Sequence, residues 1–173
     1  MGFGKCVLYL AGMGIAFFLL GRLLPKEWFR ADAYPYRGYA FERDGKIYEK
    51  LRIKRWQNKV PDMSKVLPGL MPAKAMDGRC FNKLPLMIRE TCVAEFIHRL
   101  HALLGLRCLA IWPGMGGVLI ALLNILLLNL PFILIQRYNR PRMLRLMRKQ
   151  GIPLEAVSGK REGGQYACAD TQL

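Results

Sequence analysis

The stretch of residues 115–135 constrains this chain most, because it contains no charged residue. At about 1.5 Å per residue, a helix of this length crosses the roughly 30 Å hydrocarbon core of a bilayer. A second apolar stretch, residues 6–24, carries only Arg22, which lies close enough to the end for its side chain to reach the headgroups. We therefore predict a mainly α-helical integral membrane protein with two transmembrane helices.

A cleaved signal peptide is the alternative for residues 6–24, because Lys5 precedes the stretch and residues 31–33 loosely resemble a cleavage site. However, charged residues separate that site from the apolar stretch. The stretch also exceeds the usual signal-peptide core of about 7–15 residues. We therefore expect an uncleaved N-terminal anchor over residues 1–24.

The positive charge lies mostly outside the apolar stretches, although the chain is 53% hydrophobic and carries a net charge of +15. Residues 22–89 contain 16 Lys and Arg against seven acids, and residues 137–149 contain six and no acid. Because basic segments remain on the cytoplasmic side, we expect both segments inside and the N-terminus outside. We predict a cytoplasmic basic surface segment at 25–85 and a disordered tail at 151–173.

Residues 86–112 are predicted to form a third membrane element. Both basic segments are expected on the same side, so the chain must enter the membrane before residues 115–135 bring it back. Its first half is polar, and its second half is apolar except for Arg107. The pattern ends at Trp112-Pro113-Gly114, a helix breaker with an aromatic interface anchor. We predict a polar or re-entrant helix that pairs with residues 115–135 in a hairpin, within a segment covering 86–150.

The polar half of this element contains the best candidates for catalysis. On a helix, Thr91, Glu95 and His98 share one face, since they lie at i, i+4 and i+7. An imidazole can take a proton from a hydroxyl at neutral pH, and a carboxylate can orient it. We therefore predict His98 as a base oriented by Glu95. The alternative is a plain ion pair between Glu95 and Arg99.

A metal site is not predicted, although Glu95-x-x-His98 has the spacing of a ligand pair in di-iron bundles. Such bundles need a second pair, and the chain has two histidines in all. The five cysteines form no CxxC pair, so neither a zinc site nor a redox motif is indicated. Their odd number and scattered positions favour a reducing compartment.

The string QRYNRPR at residues 136–142, hereafter the arginine motif, follows the last apolar stretch. Membrane anchoring explains its charge, with Arg137, Tyr138 and Arg142 gripping anionic headgroups or substrate. It does not explain Asn139 followed by Arg140. We predict that these two residues stabilise an oxyanion, since a paired hairpin would bring the motif level with Glu95 and His98.

A further basic patch at residues 52–62 includes Trp56, Lys59 and Asp62. Such a patch could grip nucleic-acid phosphates and stack a base. Next to membrane segments, lipid headgroups or the phosphates of an acyl carrier such as coenzyme A are the favoured partners. We predict substrate contacts at all three residues and no nucleic-acid partner.

The chain resembles the glycosyl-4,4'-diaponeurosporenoate acyltransferases, small membrane enzymes of staphyloxanthin-type carotenoid synthesis. The resemblance runs from about residue 25 to residue 148, and the arginine motif is its most specific element. The other matching positions are Pro25, Phe29, Arg30, Phe41, Glu42, Gly45, Lys46, Trp56, Lys59, Asp62, Glu90, Thr91, Ala94, Glu95, Ile97 and His98. Residues 60–85 and the tail depart from the family pattern.

The resemblance implies transfer of a fatty acyl chain to a sugar hydroxyl of a glycolipid or glycosylated carotenoid. The acyl donor, such as acyl-CoA or acyl carrier protein, would be a co-substrate, and no other cofactor is expected. The alternatives are a non-catalytic membrane scaffold or assembly subunit, and a membrane transferase of alkyl or methyl groups. The oligomeric state is not predicted.

Overall fold

The computed structural model of the chain describes residues 2–60 and 81–157. Within these residues the chain is mainly helical and has no β-strand, as predicted. The α-helices are α1 Gly2–Leu23, α2 Ile47–Lys50, α3 Ile53–Trp56, α4 Leu84–Gly105, α5 Cys108–Ile111, α6 Met115–Leu123 and α7 Leu130–Lys149. Short 3-10 helices cover Lys26–Trp28, Ala40–Gly45, Gln57–Lys59, Phe81–Lys83 and Leu154–Val157.

Two helices are long and apolar enough to cross a membrane, namely α1 and the continuous helical stretch Met115–Lys149. The second consists of α6, a π-helical segment Asn124–Asn129, and α7. These helices contain the apolar stretches 6–24 and 115–135, apart from Leu24. The two apolar helices predicted from the sequence are therefore confirmed.

The chain divides into two compact units. The first unit contains Met1–Pro25 and Val93–Gln136, and the second contains Lys26–Cys92 and Arg137–Leu173. The second unit carries all but four of the chain's 27 Lys and Arg residues. The basic charge and the apolar helices are thus segregated along the chain, as the composition requires.

The first unit is built around a turn of the chain between α4 and α6. The sequence predicts one element over residues 86–112, but α4 ends at Gly105 and the separate helix α5 follows. Glycine is a poor helix former, which favours a break there. Gly114, with φ +97°, then allows the reversal into α6.

Trp112 holds the two ends of this turn to α1. A Cβ atom added to Gly2 of α1 or to Gly116 of α6 would collide with the indole ring of Trp112. Each of these helices therefore approaches the ring at a glycine. Phe3 packs edge-on against the same ring, with centroids 6.4 Å apart. Further along α1, the Tyr9 hydroxyl donates to the Leu104 carbonyl at 3.1 Å. These contacts join α1 to the turn.

The second unit has its own apolar core beneath a charged surface. Its fully buried apolar side chains come from α3, α4, α7 and the last 3-10 helix, and they are Ile53, Leu84, Ile88, Cys92, Met147 and Val157. The Arg89 guanidinium donates to the Ala156 carbonyl at 2.7 Å and so fastens the end of the described chain to α4. This core includes Met147 of α7 and so supports the helix that carries the arginine motif.

Candidate active site

Two buried asparagines lie at the ends of the π-helical segment in the first unit. Asn124 and Asn129 are each 1% exposed. The Asn129 Nδ2 atom donates to the Asn124 carbonyl at 2.8 Å and lies 3.0 Å from Asn124 Oδ1. π-Helical turns are rare and often mark functional positions. Here the turn lets an amide side chain bond the carbonyl five residues earlier.

His98 on α4 is oriented by Asn129, whose Oδ1 lies 3.1 Å from His98 Nδ1. The Asn124 carbonyl only accepts hydrogen bonds, so the atom of Asn129 that faces it is the amide nitrogen. The Asn129 oxygen therefore faces His98, and His98 Nδ1 carries the proton. In the neutral ring His98 Nε2 then holds the lone pair, which is the tautomer that a base acting at Nε2 requires.

The His98 ring also stacks on Phe132, with centroids 4.4 Å apart and planes inclined by 9°. This stacking and the bond to Asn129 fix both the tilt and the tautomer of the imidazole. Catalytic side chains need such support, because small displacements from productive geometry are costly in rate.

His101 completes the arrangement. Its Nδ1 lies 3.1 Å from Asn129 Nδ2, and its Nε2 lies 3.4 Å from the Leu10 carbonyl. Since Asn129 Nδ2 donates, His101 accepts at Nδ1 and carries its proton at Nε2. Asn124 Nδ2 also donates to the His101 carbonyl at 3.4 Å. We call His98, His101, Asn124 and Asn129 the polar cluster.

Gly105 permits the approach of Asn124 to α4. A Cβ atom at this position would overlap the Asn124 side-chain amide. The glycine that ends α4 therefore also makes room for the polar cluster.

Glu95, the predicted orienter of His98, is fully buried, and its Oε1 lies 2.5 Å from Arg99 Nη2. This is the i, i+4 ion pair that the sequence offers as an alternative. The side chain found at His98 Nδ1 is Asn129. Sequence reasoning missed it, although two amides five residues apart in an apolar membrane stretch are a usable signal, since polar groups there are costly.

Arg140 of the arginine motif is 2% exposed and is held by hydrogen bonds inside the second unit. Its Nε donates to Thr91 Oγ1 at 2.8 Å and its Nη2 to the Thr91 carbonyl at 2.9 Å. Its Nη1 donates to the Tyr36 carbonyl at 2.9 Å. Each nitrogen of the guanidinium thus ties α7 either to the start of α4 or to the loop at Tyr36.

Arg137 is likewise buried, and it forms an ion pair with Glu42. Its Nη2 also donates to the Pro35 carbonyl at 2.6 Å. The Tyr48 hydroxyl donates to the same carboxylate at 2.7 Å. Burial and then the Glu42 carboxylate raise the pKa of Tyr48 well above its usual value. Both arginines therefore help to hold the second unit together.

Two further residues of the arginine motif, Tyr138 and Arg142, line a cavity of about 330 Å³ in the second unit. It is lined by Glu49, Arg52, Ile53, Lys54, Tyr138 and Arg142. The Arg142 guanidinium lies over the Tyr138 ring, 4.8 Å from its centroid. The structure therefore brings Tyr138 and Arg142 together with Arg52 and Lys54 of the basic patch.

The other predicted site residues are placed as follows. Trp56 ends α3 and donates from Nε1 to the Leu51 carbonyl at 3.0 Å, and Lys59 is exposed in the following 3-10 helix. Asn139 is half-buried on α7 in the second unit. Asp62 lies outside the described residues. Within residues 2–60 and 81–157, no group of three or more His, Cys, Asp or Glu side chains could hold a metal ion.

Residues 25–149 match the family described as glycosyl-4,4'-diaponeurosporenoate acyltransferase. Relatives bearing that name in Staphylococcus aureus strains MRSA252, N315 and USA300 are 29% identical over 133 residues, which is 75% of this chain and 78% of each relative. No solved structure matches the chain.

The family match covers the arginine motif, the basic patch and the polar half of α4, which are the segments that carry the predicted site. The resemblance seen in the sequence is therefore confirmed, and the chain is an enzyme that transfers acyl groups. It belongs to the glycosyl-4,4'-diaponeurosporenoate acyltransferase family of staphyloxanthin-type carotenoid biosynthesis.

Proposed function

We propose that this acyltransferase esterifies a sugar hydroxyl of a membrane-embedded glycolipid with a fatty acyl chain. The Staphylococcus aureus relatives are named for acyl transfer to a glycosyl-4,4'-diaponeurosporenoate, and we assign the same class of acceptor, a glycosylated carotenoid. An acyl thioester of coenzyme A or of acyl carrier protein serves as the donor.

The observation that carries this proposal is the contact of 3.1 Å between His98 Nδ1 and Asn129 Oδ1. With Nδ1 bonded to Asn129, the Nε2 lone pair accepts the proton of the sugar hydroxyl. The sugar oxygen then attacks the thioester carbon, so that a C–O bond forms and the C–S bond breaks. The imidazolium returns its proton to the departing thiolate. Asn129 Oδ1 accepts from Nδ1 throughout, which keeps the ring in place.

The remaining site residues take the following roles in this proposal. Asn139 is assigned as the donor to the oxyanion, because a side-chain amide N–H can stabilise that charge. Arg140 and Arg137 are positioning residues, because their guanidinium groups bond within the fold. Glu95 supports α4 through Arg99. Trp56, Lys59, Asp62, Tyr138 and Arg142 contact substrate.

The proposed enzyme lies in the cell membrane with its N-terminus outside and its basic segments in the cytoplasm. The surplus of Lys and Arg in residues 22–89 and 137–149 supports this orientation. Anionic headgroups then face the basic surface. A reporter that is active only in the cytoplasm should be active after residue 150 and inactive before residue 2. The opposite pattern would reverse the orientation.

The test of the catalytic role uses His98→Ala in cells that make the glycosylated carotenoid. General base catalysis contributes about 10²- to 10⁴-fold, so ester formation should fall at least about 100-fold. Lipid mass spectrometry should show loss of the fatty-acyl mass from the glycolipid, with unchanged protein in the membrane fraction. A variant that inserts normally and keeps full ester formation would remove His98 from the mechanism.

A further inference from the structure

The cavity formed by α2, α3 and α7 in the second unit is lined differently at its floor and at its rim. The floor is apolar or aromatic, since Ile53 is fully buried and Tyr138 is 5% exposed. The rim consists of exposed side chains, namely Glu49, Arg52, Lys54 and Arg142. Three of these four are cations, which leaves a formal excess of two positive charges around one small cavity.

These cations are available to a ligand. Among the residues that the structure describes, no ion pair involves Arg52, Lys54 or Arg142. This differs from Arg137, whose charge is met by Glu42. Arg142 is also pre-oriented, because its guanidinium lies on the Tyr138 ring. A planar guanidinium held in this way can bind a phosphate with two parallel hydrogen bonds.

The backbone at Arg52 points to a binding role as well. Arg52 adopts φ +50° and ψ +36°, the left-handed conformation that non-glycine residues rarely occupy. This conformation makes the sharp corner between α2 and α3, and Arg52 lines the cavity at that corner. Residues kept in such conformations cluster at ligand-binding positions. Glycine would adopt the same corner more easily and would lack the guanidinium.

We propose that this cavity binds a phosphate ester, with Arg52, Lys54 and Arg142 contacting its phosphate oxygens. The Glu49 carboxylate accepts from a hydroxyl of the attached ribose or glycerol. A volume of about 330 Å³ suits such a polar head and not a whole acyl chain. The ester is either the nucleotide end of a coenzyme A donor or the headgroup of an anionic lipid. The binding of a phosphate ester does not depend on the proposed function. Only the identification of coenzyme A as the acyl donor rests on it.

The test is equilibrium binding of coenzyme A to the full-length chain in neutral detergent micelles, measured by isothermal titration calorimetry. The cavity variants are Arg52→Gly, which suits the left-handed corner, and Arg142→Gln. The matched controls are Arg55→Gln and Arg145→Gln, which remove equal charge from exposed positions outside the cavity. Circular dichroism checks that each variant keeps its helices.

We expect each cavity variant to raise the dissociation constant for coenzyme A about tenfold or more, and each control to change it less than about threefold. A second arm replaces coenzyme A with phosphatidylglycerol nanodiscs, using phosphatidylcholine nanodiscs as the reference. The same residue dependence in the lipid arm alone would assign the phosphate to a headgroup. The proposal would be overturned if, in both arms, the cavity and control variants lost affinity equally or no variant lost affinity.

This experiment separates the two proposals, because binding of coenzyme A requires no acyl transfer. His98→Ala should bind coenzyme A like the wild type. If the wild type formed no ester but bound coenzyme A through Arg52 and Arg142, the phosphate site would stand and the proposed reaction would fail.

Discussion

The Asn129 side chain accepts a hydrogen bond from His98 Nδ1 at 3.1 Å and donates from its amide nitrogen to the carbonyl of Asn124. One side chain thus fixes the tautomer of the imidazole and closes the π-helical turn. An uncharged amide can do this among apolar helices. A carboxylate in its place would bring a charge there, at a greater cost in free energy.

Replacing Asn129 should therefore impair catalysis more than folding. Asn129→Leu keeps the approximate shape and removes the acceptor for His98 Nδ1, so we expect the rate of ester formation to fall about 10- to 100-fold. Asn129→Asp keeps an oxygen at that position and should retain more activity than the leucine variant. Initial rates in isolated membranes, normalised to inserted protein, test this. Equal rates for leucine and wild type would argue against a role for the tautomer.

Gly105 offers a steric test of the polar cluster. Gly105→Ala places a Cβ atom on the Asn124 amide, so we expect a lower thermal midpoint and reduced ester formation. Gly12→Ala is the matched control, because a Cβ atom there meets nothing within 4 Å. Because alanine favours a helix more than glycine does, the free energy of unfolding of this control should stay unchanged or rise by up to about 1 kcal/mol. Thermal unfolding followed by circular dichroism in detergent measures both, and an equal response of the two variants would contradict the packing described.

Thr91 and Arg140 provide a test inside the second unit. Thr91→Val removes the hydroxyl that accepts from Arg140 Nε and leaves a buried charged donor without that partner. Such a loss costs about 1–3 kcal/mol, which should lower the thermal midpoint by several degrees. Thr91→Ser keeps the hydroxyl and should stay closer to wild type. The prediction fails if valine and serine variants unfold at the same temperature.

Tyr48 predicts a dependence of stability on high pH. Its pKa in the folded chain is raised above the unfolded value of about 10, chiefly by burial. The stabilising contribution of Tyr48 is therefore fully present below about pH 10 and is lost as the pH rises towards the folded value. The loss should approach about 1.4 kcal/mol per pH unit.

Comparison with Tyr48→Phe isolates this effect, because the other tyrosines and the lysines titrate in both proteins. The difference in unfolding free energy between wild type and variant should be constant from pH 8 to about pH 10 and should then shift against the wild type. A difference that stays constant up to pH 11 would show that Tyr48 ionises as easily in the folded chain as in the unfolded chain.

The apolar helices could be predicted because length and the absence of charge are properties of contiguous sequence. The same holds for the reversal at Trp112-Pro113-Gly114, where Gly114 has φ +97°. The break at Gly105 was missed, since the apolar pattern runs on through α5. A helical periodicity shows where a helix is favoured, and the close approach of Asn124 that needs a glycine is not visible in it.

The candidate site was predictable in its residue types and much less so in its pairings. His98 stood out as an imidazole in a predicted membrane element, but its partner Asn129 lies 31 positions later. Arg137 meets Glu42 across 95 positions, and Arg140 meets Tyr36 across 104. A count of basic residues treats all three arginines of the motif alike. The fold neutralises or bonds Arg137 and Arg140 internally and leaves Arg142 at the cavity.

The π-helical segment makes the number of residues between Asn124 and Asn129 as important as their identity. Such a segment holds about one residue more than the same length of α-helix, and one residue turns a helix by about 100°. A single deletion inside it would restore regular winding and rotate every following side chain of α7 about the helix axis. The length of the segment in this chain is therefore as much a part of the polar cluster as the two asparagines that bound it.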